Sequence, residues 1–462
     1  MDDLLQRGIG GLAQGLRERR FAAAAVVESC LERIARIDPT LNAFVSLDAE
    51  GARRAARDSD ARFAAGAPRS MLEGIPISVK DNILVRGLLA TWGSRAFADF
   101  VPDTDELPIA RLRAAGAVII GKTNVPELTL EGYTANALFG VTRNPWDTRL
   151  TPGGSSGGAA ASVAGGLVPA AIGTDGGGSI RRPASHTGLV GFKPSTGRIP
   201  RIDGFPAILT DFETIGTLTR TVADTMLLDM LPGPDTRDRR SLYALANPYE
   251  GPRRRILYVP QFGASPVDPE VAKATADIAR FLAEAGHIVR EGPLNLDLDE
   301  LGRIWFVITR AGVAYLAQRD GGRLLREGGA SVQQMAAEGA KLSGADYLDA
   351  LERVAAFRRR CAELFTDTDL VLTPTAAALP WPAEQPYPTE IAGRPAGPRD
   401  HAVFTGWVNI AGLPAISLPV AVSRGGLPIG VQFVAGFGAD PGLLEFAAGF
   451  EQRWEAPPLP EL

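Results

Sequence analysis

Histidine is scarce in this chain, with His186, His287 and His401 alone among 462 residues. A serine that attacks a substrate here has few imidazoles to take its proton. Cysteine is scarcer still, with only Cys30 and Cys361. Two lone cysteines make neither a metal-ligand spacing nor a disulfide framework, and they fit a reducing compartment. No run approaches the ~18 consecutive apolar residues of a membrane span. The opening MDDLLQRGIGG is acidic at once and has no long apolar core, so it does not read as a signal peptide. One-sided charge is missing too. Lys and Arg number 48 against 53 Asp and Glu, a net charge of −5, which argues against nucleic acid as a partner. The basic run Arg358, Arg359, Arg360 reads as a solvated helix face. The expectation is a soluble, cytoplasmic protein.

What is present is ordinary globular composition, 45% hydrophobic and 22% charged, on a chain long enough for a large core. Residues 21–37 repeat apolar side chains at helical spacing and are expected to stop before Asp38-Pro39. A second helix is expected over 48–64, a buried strand over 74–80, a helix over 105–115 and a strand over 117–122. Residues 158–166 suit a small-residue helix packed closely on a sheet. RILYVP (255–260), a helix over 267–285 and HIVR (287–290) form a β-α-β unit. Helices dominate 298–365, a strand covers 369–375, and the Pro-rich 380–398 reads as a surface loop. Residues 415–422 and 427–435 pair as a hairpin, and a last helix covers 441–453. Alternating strands and helices indicate an α/β fold.

Three motifs compete for the chemistry. Gly116 to Thr123 fits the phosphate-loop pattern letter for letter, but its interior residues, Ala, Val, Ile and Ile, are themselves a strand, with Lys122 at its exit. GGSSG around Ser155 fits a nucleophile elbow, but the turn-like NPWDTRLTP before it supplies no strand, and no histidine sits in a telling context. The third is a constellation: Lys80 in GIPISVKDNI, Ser155 in TPGGSSGG, 75 residues on, and Ser179 in GTDGGGSIRRPA, 24 further. Three glycines before Ser179 let backbone amides converge on a pocket, as an oxyanion hole requires. Without histidine, a buried lysine that has lost its charge can serve as the base, and Ser155 can relay the proton.

These stretches, with AGAVIIGKTNVPEL, FGVTRNPWD, GLVGFKPSTGR, NIAGLPAISLP and LPIGVQF, resemble the amidase signature family over roughly residues 5 to 455. The likeness is weakest over about 230–400. The resemblance implies a large twisted mixed β-sheet flanked by helices on both faces, in one domain spanning 1–462. It implies a catalytic core segment over 66–225 and a variable helical region over 230–400 covering the active site. It places the nucleophile at Ser179, the proton relay at Ser155 after a cis Gly154-Ser155 peptide, and the base at Lys80. The amides of Gly176, Gly177, Gly178 and Ser179 are the expected oxyanion hole. Asp175 and Arg181 are the expected supporting polar pair, and Ser156 is expected to orient Ser155 or Lys80.

Two departures bear on substrate. Gly176 stands where relatives often carry a side chain, which is expected to loosen the loop. Against the glutamine-hydrolysing subunit of the transamidosome, Ala402 replaces the usual acidic residue, and Ala207, Ile208 and Leu209 replace small polar positions. The expectation is therefore a stand-alone hydrolase of aryl or acyl amides, with esters and carbamates as further substrates. It needs no cofactor or metal and works as a monomer or homodimer. The alternatives are an amidotransferase component of a multi-chain complex and a non-catalytic binding protein on the same scaffold. Tyr133, Thr134, Ile208 and Leu209 are candidate pocket residues, and Trp92, Phe139, Phe205 and Trp407 are further aromatics compatible with an apolar acyl site.

Overall fold

The computed structural model describes residues 2–228, 233, 235–242, 253–294 and 296–460. The boundary expected at 230 lies outside these residues. Eleven strands form one mixed sheet. Numbered in chain order, they are β1 Phe44–Leu47, β2 Pro76–Lys80, β3 Val118–Thr123, β4 Ala170–Asp175, β5 Val190–Lys193 and β6 Thr214–Thr219, then β7 Arg255–Tyr258, β8 Ile288–Glu291, β9 Leu370–Pro374, β10 Ala415–Val422 and β11 Pro428–Ala435. Their spatial order is β1-β3-β2-β4-β6-β5-β10-β11-β9-β7-β8. The pairs β2–β3 and β2–β4 run parallel, as do β7–β8 and β7–β9, and the middle of the sheet is antiparallel. Every residue of β2, β3, β4 and β6 is buried, so both faces of the central sheet are covered. The expected β-α-β unit and C-terminal hairpin both form. No helix among the described residues is long and apolar enough to cross a membrane.

Parallel pairing of β2 with β4 brings their carboxyl ends side by side, Val79 opposite Ile172. Lys80 ends one strand and Thr174-Asp175 ends the other. Ligand crevices of α/β sheets form at such strand ends. The helix Gly157–Ala164 packs on this region with all eight residues buried. Its glycines are poor helix formers, but packing requires them: a Cβ on Gly158 would lie 2.4 Å from the Asn124 nitrogen.

Two local expectations change. The helix expected to stop before Asp38-Pro39 runs over Ala23–Leu41, with Pro39 inside its last turn. The Asp38 carboxylate accepts from the amides of Ala43 and Phe44, and Asn42 closes the helix in the left-handed region. These contacts hold the last turn closed around Pro39. Lys122 does not stand at a strand exit. It is fully buried, donating to the Asp81 and Leu89 carbonyls and paired with the Asp81 carboxylate at 3.7 Å. Cys30 and Cys361 are free and buried, and burial pushes both thiols up to about 12.

Candidate active site

Lys80 has no exposed surface. Its Nζ donates to Ser155 Oγ at 2.8 Å, to Thr174 Oγ1 at 2.8 Å and to the Thr174 carbonyl at 3.1 Å. Burial pulls this ammonium down to about 7. The carboxylates of Glu213 and Asp175 oppose the shift, and the guanidinium groups of Arg201 and Arg182 reinforce it. A lysine so placed is partly neutral at physiological pH. In the neutral form its two hydrogens can go to the two Thr174 oxygens, and its lone pair can then accept from the Ser155 hydroxyl.

Ser155 follows a cis peptide bond from Gly154. The backbone here leaves no room for side chains, because a Cβ on Gly154 would lie 2.3 Å from the Tyr133 carbonyl oxygen. Ser156 hydrogen-bonds neither to Ser155 nor to Lys80. Its Oγ donates to the Thr174 carbonyl that Lys80 also uses, at 3.1 Å, and its amide donates to the Ser179 carbonyl at 3.1 Å. That backbone link sets Ser179 beside the Ser155 loop. No hydrogen bond joins Ser179 Oγ to Ser155 Oγ among the described residues. Such links are often long before substrate binds.

The loop from Gly176 to Ser179 is braced by Asp175 and Arg181, both fully buried and 2.8 Å apart. Arg181 also donates to Gln432 Oε1 and Asn409 Oδ1, each at 2.6 Å. Burial alone would raise the Asp175 carboxyl, but Arg181 overrides it and holds the group well below the usual carboxylate range. Asp175 Oδ1 accepts the Gly178 amide at 2.7 Å, and Oδ2 accepts the Ile180 amide at 3.0 Å. Gly178 thus departs from the expected oxyanion-hole role: its amide is turned inward to Asp175. A φ of 111° and a Cβ position 2.2 Å from Thr405 Oγ1 make glycine necessary there for shape. The amides of Gly176 and Gly177 bond to no group among the described residues. Gly176 does not leave slack either, since a Cβ there would meet Leu209 Cδ1 at 2.8 Å. The missing side chain is replaced by Leu209. The Trp305 ring packs over Gly177, 3.4 Å from its Cβ position.

A cleft of about 100 Å³ adjoins these groups, lined among others by Asn82, Trp92, Phe205, Ile208, Leu209 and Glu213. Asn82 connects it to the base, donating to Thr174 Oγ1 at 3.1 Å. The charged groups around the cleft are paired with one another. Arg201 bonds Glu106 at 2.6 Å and also Glu213, while Arg240 bonds Asp238 at 2.8 Å. Trp92 and Phe205 stack at 4.6 Å on its wall. Trp407 belongs to the core, and neither Tyr133 nor Phe139 lines the cleft. Thr134 is not a pocket residue. It is buried, its Oγ1 donating to the Gly153 carbonyl at 2.8 Å and accepting the Gly157 amide at 3.1 Å, which fixes the Ser155 loop from both sides.

Thr174, Asn82, Thr405 and Trp305 are functional neighbours that the sequence reading passed over. Thr174 and Asn82 had a signal, since each lies within the quoted words around Asp175 and Lys80. Trp305 had none, because its helix, Leu298–Arg319, is brought to Gly177 only by tertiary packing. Among the described residues, no group of three or more His, Cys, Asp or Glu is placed to share a metal ion.

Against known proteins, the family described as Amidase matches residues 25–444. A glutamyl-tRNA(Gln) amidotransferase subunit from Alkaliphilus metalliredigens (strain QYMF) is 33% identical over 473 residues, covering 96% of this chain and 95% of that protein. Its namesake from Synechococcus sp. (strain CC9605) is 35% identical over 476 residues, covering 96% of each. Among solved structures, a bacterial aryl acylamidase belonging to the amidase signature (AS) enzymes family matches with a TM-score of 0.87 at 28% identity, covering 96% of both chains.

Proposed function

The chain belongs to the amidase signature family, and from that premise we propose that it is a stand-alone amidase acting on small amides with an apolar aryl or acyl group. Ser179 Oγ passes its proton to Ser155, whose own proton goes to neutral Lys80. Ser179 Oγ attacks the carbonyl carbon, and the amides of Gly176 and Gly177 receive the oxyanion. Protonated Lys80 returns the proton through Ser155 to the leaving nitrogen, and the C–N bond breaks. Water then cleaves the acyl-enzyme by the reverse relay. In this reading the helices from Leu298 onward cover the mouth of the site, with Trp305 lying over Gly177. Esters and carbamates present the same carbonyl and are further substrates in this reading.

The observation that carries the substrate class is the apolar cover of the two free amides. Leu209 lies against Gly176 and Trp305 against Gly177, and the nearby arginines are already held by Glu106, Glu213 and Asp238. A free amino acid brings an ammonium and a carboxylate that these paired groups do not accommodate. The second reading, an amidotransferase component working with other chains, is favoured by the names of the relatives above. Hydrolysis by the purified chain alone of a p-nitroanilide, the matching ester, an aryl carbamate and free glutamine decides between them. Turnover of aryl substrates, lost in Ser179→Ala, is expected. Ammonia from glutamine alone, or turnover only with added partner chains, sinks the stand-alone reading. Absence of fluorophosphonate labelling at Ser179 sinks both and leaves a binding protein.

A further inference from the structure

The helix Arg181–Thr187 opens with two buried arginines that do different things. Arg181 is enclosed by Asp175, Asn409 and Gln432. Arg182 is 2% exposed, and no carboxylate pairs with it among the described residues. Its Nη2 donates to the Gly154 carbonyl at 3.2 Å, while its Nε and Nη1 have no hydrogen-bond partner. Among the described residues, the titratable groups that act on it bring no negative charge except that of Asp175. Arg399 and Arg181 are like charges. His186 and His401 are both buried, and burial keeps their imidazoles neutral, His186 at about 4 and His401 well below its ordinary value. His186 Nδ1 and both His401 nitrogens are also without partners.

A buried guanidinium with no counter-ion is costly, and buried unpartnered donors call for a reason. The one group Arg182 holds among the described residues is the carbonyl of the peptide that leads into Ser155. Its charge also bears on Lys80, where it acts with Arg201 against protonation and against Glu213 and Asp175. We propose that Arg182 is a positioning residue for the Ser155–Lys80 relay, anchoring Ser155 through the Gly154 carbonyl and setting an uncompensated positive charge behind the base. This rests on the reading of Ser179, Ser155 and Lys80 as the triad.

The test is the rate of fluorophosphonate labelling of Ser179 against pH, in the full chain and in Arg182→Gln, Arg182→Lys and His401→Asp, together with kcat and KM on an aryl amide. Arg182→Gln is expected to label about 10- to 100-fold more slowly, with KM within about twofold of the parent. Its Lys80 limb should move to higher pH by about one unit, because the lost positive charge no longer disfavours the ammonium. Arg182→Lys keeps the charge, so its limb stays and part of the rate returns. His401→Asp supplies a carboxylate at a position that already interacts electrostatically with an intact Arg182 and should shift the limb as Arg182→Gln does. It carries the test should Arg182→Gln not fold. An unchanged limb in Arg182→Gln or His401→Asp, or equal shifts in Arg182→Gln and Arg182→Lys, overturns the proposal. A parent enzyme that does not label overturns the triad reading itself, and the proposal with it.

Discussion

Thr174 presents both its carbonyl and its hydroxyl to Lys80 Nζ, at 3.1 and 2.8 Å. The residue is the last but one of β4, so a strand fixes its backbone, and Asn82 fixes its hydroxyl. Together they aim the lysine lone pair at Ser155. Thr174→Val keeps the carbonyl and the shape but removes the hydroxyl. The expected result is a drop in kcat of about tenfold with KM nearly unchanged, read by steady-state kinetics on an aryl amide. Loss through KM alone would assign Thr174 to substrate binding instead.

The pH dependence follows from the same lysine. In the proposed relay Lys80 acts as base only when neutral, and burial brings it to about 7. kcat/KM should therefore rise with pH and level off above about 7 to 8. Stability gives an independent reading of the same group. The native lysine releases its proton near 7, while the unfolded chain holds it to about 10.4. Between those values the unfolded state binds the extra proton, so stability increases with pH there. The burial penalty is fully present below about 7 and gone above about 10. Lys80→Met should be inactive yet more stable than the parent by on the order of a few kcal/mol at pH 6, the difference closing by pH 10. Urea unfolding at the two pH values measures it. An equal gap at both would show that Lys80 is not depressed.

The words around Lys80, Ser155 and Ser179 made the proposed triad legible because each is a short stretch whose backbone shape is set locally. Strands such as β2, β3 and β9 were legible for the same reason, a buried run carrying its own pattern, whereas β1, β4, β5 and β6 were not read as strands. What stayed hidden came from across the fold. Nothing near Gly178 in sequence shows that its amide turns to Asp175 rather than to the pocket. That orientation depends on Arg181, Asn409 and Gln432, the last two more than 220 residues away. Trp305 and the role of Thr134 were hidden likewise. Pro39 misled because proline is a reliable helix end only when nothing caps the turn beyond it.

The Asp175–Arg181 pair yields a stability prediction with a definite sign. The folded Asp175 is depressed, so its contribution is present above the unfolded carboxyl value of about 3.9 and is lost progressively as pH falls from there toward the lower folded value. Asp175→Asn leaves Arg181 buried without its charge and should cost about 3–5 kcal/mol at neutral pH. The gap to the parent should narrow below about pH 4. Denaturant unfolding across pH checks both parts, and a gap that stays constant into acid would refute the assignment.

Trp305 decides how far the acyl preference belongs to this chain's own helical region. Its indole packs edge-on to Phe212, with centroids 5.4 Å apart, and covers Gly177. It is only half-buried, so truncation need not unfold the protein. Trp305→Ala removes apolar surface that an aryl group meets but a small acetyl group does not reach. Discrimination of this kind is worth about 10- to 200-fold per pocket contact. The expected result is a fall in kcat/KM of about that size for a bulky aryl amide, chiefly through KM, and under about threefold for acetamide. The loss should be the same for the matching ester, since the acyl group is shared. A uniform loss across acyl sizes, carried by kcat, would show instead that Trp305 holds the Gly177 amide in place and that the cleft lined by Trp92, Phe205 and Ile208 selects the substrate.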